Sequence, residues 1–126
     1  MKLEDAKILI GDDSILARKL LKDIISEVGG VHYLEASNGE EAVQLATAEH
    51  PDIIFLDIVM PVKDGITSVK EIKAAGVAAD IIIVSSVGTQ GQLKEAISSG
   101  ASDFIQKPFH AEQIKSILDV RFEGGK

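Results

Sequence analysis

The chain has no cysteine, which excludes a disulfide framework and any thiolate metal site. Arginine is scarce as well. Of 13 basic residues only Arg18 and Arg121 are arginines, against 20 acidic residues and a net charge of -7. That balance repels phosphate backbones and anionic membranes, so nucleic-acid binding is not expected. No apolar run approaches the roughly 18 residues of a membrane span, and the opening MKLEDAKILIGDDS places acids where a signal peptide carries an unbroken apolar stretch. No linker, internal repeat or low-complexity tract interrupts the sequence. The expectation is a cytoplasmic monomer with one domain over residues 1–126, a core at 6–120 and a frayed tail at 121–126.

Against these absences stands a regular alternation. Short apolar segments recur at KILI (7–10), VHYLEA (31–36), DIIFLD (52–57), DIIIVSS (80–86) and DFIQK (103–107). Runs of Ile, Val and Leu without polar alternation suit strands covered on both faces; VHYLEA alternates more and reads as an edge strand. Between them lie segments with helical spacing. Ser14 is placed to cap a helix with Leu16, Leu20, Ile24 and Val28 on one stripe, ended by Gly29 and Gly30. Asn38 caps the next, with Ala42, Leu45 and Ala46 inward. Ile66, Val69 and Ile72 mark a third that ends near Gly76. Leu93, Ala96 and Ile97 form a fourth stripe closed by Gly100, and Ile114, Ile117 and Leu118 a fifth. Strict alternation of strand and helix implies an α/β fold, a (βα)5 doubly wound parallel sheet with right-handed crossovers.

In such a sheet the ligand crevice lies beyond the carboxyl ends of the strands. There the first strand delivers Asp12 and Asp13, the third Asp57, the fourth Ser85 and Ser86, and the fifth Lys107. Each has a bland role when taken singly: a cap, a turn residue, a core hydroxyl, a solvated loop charge. Independent bland causes would not collect them all on one rim. Carboxylates this close repel one another unless a cation intervenes, and Mg²⁺, which takes about six oxygens, resolves the conflict. Asp12 and Asp13 are suited to hold it, with Asp57 supplying a further oxygen. A carboxylate so placed is also a nucleophile towards phosphorus. The Mg²⁺ ion, the Ser85 hydroxyl and the Lys107 ammonium then supply three stabilising contacts for a phosphoryl group. His32, His50 and His110 have no ligand spacing.

These residues resemble the receiver domains of two-component response regulators, and in particular the single-domain, CheY-like members of chemotaxis systems. The resemblance is carried by DD at 12–13, DIVMPVKDG at 57–65, SS at 85–86 and KPF at 107–109, and it spans about residues 6–120. It implies a flavodoxin-like strand order 2-1-3-4-5. It also implies that Asp57 accepts phosphate from a histidine kinase and that Asp12, Asp13 and the Val59 backbone carbonyl serve the Mg²⁺ site. Ser85 and Lys107 then contact the phosphoryl group, a cis peptide joins Lys107 to Pro108, and Phe104 is an aromatic switch moving with Ser85. The implied output surface is the fourth helix, fifth strand and fifth helix, including Phe104, Ala111, Gln113 and Lys115, and the leading target is a flagellar motor switch protein.

One departure from fast-dephosphorylating relatives is visible. Val59 and Val87 stand two places after the acceptor and two after the hydroxyl, where polar side chains orient the attacking water. Slow self-dephosphorylation and an auxiliary phosphatase are expected. The Gly-rich SSVGTQGQ stretch suggests a mobile start to the fourth helix; its glycine spacing matches no P-loop. Two alternatives stay open: a phosphorelay intermediate, and a small Mg²⁺-dependent phosphohydrolase. The latter is disfavoured because the chain has no length for a cap insertion.

Overall fold

The computed structural model describes residues 1–86 and 90–123. Residues 87–89, with Val87 and part of the SSVGTQGQ stretch on which the expected mobile start of the fourth helix falls, lie outside the described residues. The apolar segments become β1 (Lys7–Gly11), β2 (His32–Ala36), β3 (Ile53–Leu56), β4 (Asp80–Ser85) and β5 (Asp103–Gln106). They alternate with α1 (Ile15–Glu27), α2 (Gly39–Glu49), α3 (Gly65–Ala74), α4 (Gln90–Ser99) and α5 (Ala111–Arg121). All paired strands are parallel, in the order β2-β1-β3-β4-β5, which is the order the resemblance implies.

The unbroken apolar strands have a direct cause. Successive side chains of β3 point to opposite faces, and both faces are covered: Ile54 and Leu56 join a cluster with Ala42, Ala46, Val69, Ile72 and Ala96, from α2, α3 and α4. Ile53 and Phe55 join another with Leu21, Ile25, Ile114 and Leu118, from α1 and α5. All four β3 residues are fully buried. The helices start where expected, since Ser14 Oγ accepts from the Ala17 amide at 3.1 Å and Asn38 Oδ1 from the Glu41 amide at 2.9 Å. Asp64 Oδ1 does the same for Thr67 at 2.8 Å.

Three expectations need correction. The inward stripe of α1 is Leu21, Ile25 and Val28, while Leu16 and Leu20 are 75% and 52% exposed. The α1 sequence is apolar at helical spacing in two phases, and only packing against α5 and the sheet selects one. In α4 only Ala96 is buried, and Ile97 is 44% exposed. At the C-terminus, residues 121–123 are tied down: α5 runs through Arg121, Phe122 packs on the core, and the Glu123 amide donates to the Met1 carbonyl at 3.0 Å.

Candidate functional site

The strand ladders place the rim residues. The Asp12 amide donates to Ala36 O at 3.0 Å and the Asp57 amide to Gly11 O at 2.9 Å, extending the hydrogen bonding of β1 one step past its end. Asp12 and Asp57 therefore stand side by side, and Asp13 follows on the exposed side. Across β4, the Lys107 amide donates to Ser85 O at 2.9 Å. Lys107 is joined to Pro108 by a cis peptide, as expected, and its ammonium turns into the crevice, 2.6 Å from Asp12 Oδ2 and 3.3 Å from Asp57 Oδ2.

One carboxylate oxygen from each of Asp12, Asp13 and Asp57 lies within 4.8 Å of the others, a set that can hold a metal ion. Asp12, Asp57 and Ser85 are buried, at 6%, 8% and 3% exposure. Among the described residues, Asp57 Oδ1 is buried with no hydrogen-bond partner. A buried carboxylate oxygen without a partner is costly, so this atom points to an absent electrophile. The donors are all hard oxygens, as Mg²⁺ prefers, and the residues fit the ion. Burial opposes the charge of Lys107. Its hydrogen bond to Asp12 and the charges of Asp57 and Asp12 outweigh that, and its pKa is raised above the ordinary lysine value.

The loop after Asp57 is pressed against the strand end. Gly65 N–H donates to Ile58 O at 2.8 Å, and a Cβ at Gly65 would overlap the Asp57 carbonyl oxygen. The glycine of the DIVMPVKDG motif is required here by close backbone approach. Val59 lies on this loop and is 56% exposed. Phe104 is 42% exposed on β5 and lines a groove of about 540 Å³ with Leu93, Lys94 and Ile97 of α4.

Two participants were missed from sequence. Arg18, on the second turn of α1, donates through Nη1 to the Asp12 carbonyl and through Nε to Glu35 at 3.0 Å. The scarcity of arginine was an available signal, because one of the two in the chain sits against the acid pair. Lys63, on the loop after Asp57, pairs with Glu40 and Glu71; nothing in a linear sequence brings those three together. No histidine joins the acid cluster among the described residues.

A profile of the response regulator receiver domain matches residues 8–119. The chain is 44% identical over 113 residues to chemotaxis protein CheY of Bacillus subtilis, covering 90% of this chain and 94% of that one. It is 42% identical to CheY of Thermotoga maritima at the same coverage. A CheX–CheY complex with BeF3 and magnesium from Borrelia burgdorferi superposes with a TM-score of 0.86 at 33% identity, over 91% of this chain and 88% of that one. Among the described residues no helix is long and apolar enough to cross a membrane. Fold, strand-end acids and near-complete coverage thus converge, and the chain belongs to the receiver-domain family of response regulators, close to the CheY chemotaxis proteins.

Proposed function

We propose that this chain is a phosphoacceptor signalling protein, a single receiver domain whose Asp57 takes a phosphoryl group from a histidine kinase and whose output is altered binding of another protein. One observation carries this: among the described residues Asp57 Oδ1 is buried and unpartnered, inside a cluster of two further acids and one ammonium. Asp12, Asp13, Asp57 and the Val59 carbonyl would hold Mg²⁺, which supplies charge neutralisation for the incoming phosphoryl oxygens. The Asp57 carboxylate forms the new O–P bond while the P–N bond of the phosphohistidine breaks and its electron pair returns to the imidazole. Lys107 then exchanges carboxylate contacts for a phosphoryl oxygen, and Ser85 contacts another. Phe104, half exposed beside the α4 groove, is the ring that follows Ser85 inward; the α4, β5 and α5 surface is the readout.

The donor's approach is favoured by an apolar rim. Ile15, Leu16 and Leu20 of α1 are exposed, and Leu20, Pro108 and Phe109 line a pocket of about 370 Å³ beside Lys107. Val59 has no group to orient a water, which supports slow loss of phosphate and reliance on an auxiliary phosphatase. The relatives' chemotaxis names support a cytoplasmic role, with a flagellar motor switch protein as target. Incubation with Mg²⁺ and acetyl phosphate, followed by intact-mass measurement, tests the chemistry. The parent gains one phosphoryl group and Asp57→Asn gains none; catalytic turnover of phosphomonoesters would instead mark a hydrolase. Co-purification with a motor switch protein only when phosphorylated tests the role, and transfer onward to a phosphotransfer histidine would mark a relay.

A further inference from the structure

The loop that leaves Asp57 contains an unfavourable turn. Lys63 N–H donates to the Pro61 carbonyl at 2.7 Å, closing a three-residue turn around Val62, whose φ is 70°. A γ-turn with positive φ is the rare, strained form, and a β-branched residue tolerates it poorly. Val62 is 82% exposed, so its own side chain does not pack it in place.

The next residue does the holding. The Lys63 ammonium lies 2.6 Å from Glu40, in the first turn of α2, and 2.7 Å from Glu71 of α3. Its side chain is only 18% exposed. The Lys63 carbonyl abuts Gly39 so closely that a Cβ there would overlap it. Hydrogen bonds from Glu40 and Glu71 hold the lysine's pKa above its ordinary value, and the Lys63 contact holds that of Glu40 below its own. A strained turn is thus pinned to two helices by one ammonium, four residues from the backbone that the metal site uses.

We propose that Lys63 is a positioning residue for the metal site: gripped by Glu40 and Glu71, it holds the Val62 turn and so fixes where the 58–62 backbone meets the ion. This role rests on the metal-dependent chemistry proposed above. Electrostatics makes the test sharp. Removing a nearby positive charge should tighten Mg²⁺ binding, whereas loss of positioning should weaken it.

Calorimetric Mg²⁺ titration of the parent, Lys63→Met, Lys63→Gln, Lys63→Arg and the double variant Lys63→Met/Val62→Gly reads the effect. Lys63→Met is expected to weaken Mg²⁺ about tenfold, the low end for outer-shell partners. Its phosphorylation rate at saturating Mg²⁺ should stay near the parent's, and the amides of Val59, Met60, Val62 and Lys63 in the metal-free protein should exchange faster. Lys63→Arg should bind as the parent does, and Val62→Gly should recover most of the loss by relieving the turn. Unchanged or tighter Mg²⁺ binding by Lys63→Met, or weaker binding without faster exchange at 59–63, overturns the role of Lys63 while the metal site stands. A parent that takes up no Mg²⁺ overturns the metal site itself. Should Lys63→Met fail to fold, Lys63→Gln carries the same signs.

Discussion

Asp57 and Lys107 illustrate how one residue's cost becomes another's function. A buried carboxylate with an orphan oxygen destabilises the fold, and Lys107, shared between Asp57 and Asp12, offsets part of that cost. Since its folded pKa is raised, the stabilisation is complete below the unfolded value of about 10.4 and is lost as pH rises through the higher folded value. The urea midpoint of the parent should therefore fall between about pH 10 and the folded pKa in the metal-free protein, and Lys107→Met should show a smaller fall, keeping only the part that Lys63, whose pKa is also raised, contributes. Glu40 has the opposite sign. Its pKa is lowered, first by the hydrogen bond from Lys63, so its contribution is present above about pH 4.3 and disappears as pH falls through the depressed value. An acid titration of stability should show this loss in the parent and not in Lys63→Met.

Elements meet at this site with little clearance. The start of α3 lies against the end of β3, and the start of α2 against the loop at Lys63, each through a glycine where a Cβ would strike backbone carbonyl oxygen. Backbone cannot swing aside as a long side chain can. Gly65→Ala should accordingly cost more than about 2 kcal/mol in urea unfolding, at the severe end for a one-carbon overpacking, and should weaken Mg²⁺ uptake by shifting the loop after Asp57. Asn38→Ala, by contrast, removes only the α2 cap, which accepts from the Glu41 amide at 2.9 Å. It should cost about 1 kcal/mol and leave the metal affinity unchanged.

At the scale of the whole molecule, the sheet separates two hydrophobic clusters that share the strands and little else. Ile25 is fully buried beneath α1 on one side and Ile72 beneath α3 on the other. Each Ile→Ala change should cost roughly 2–5 kcal/mol by leaving a cavity. The double variant should equal the sum within about 0.5 kcal/mol, because the two cavities have no partner in common. Unfolding should nonetheless stay a single transition, since the three central strands β1, β3 and β4 contribute buried residues to both clusters. A coupling well above that figure would show that the sheet transmits packing changes from face to face.

The sequence alone determined the alternation of strands and helices, the caps at Ser14 and Asn38, and the gathering of Asp12, Asp13, Asp57, Ser85 and Lys107 on one rim. Those follow from local rules: apolar period, capping chemistry, and the obligation of parallel strands to end on the same side. Tertiary structure decided what local rules leave degenerate. The α1 sequence satisfies helical spacing with Leu16 and Leu20 inward or with Leu21 and Ile25 inward, and only the sheet and α5 beneath it broke that tie. Contacts across long sequence separations were equally out of reach. The grip of Glu40 and Glu71 on Lys63, and of Arg18 on the Asp12 carbonyl, depends on how α1, α2 and α3 are set against the sheet, a geometry fixed by side-chain packing and not by any periodicity along the chain.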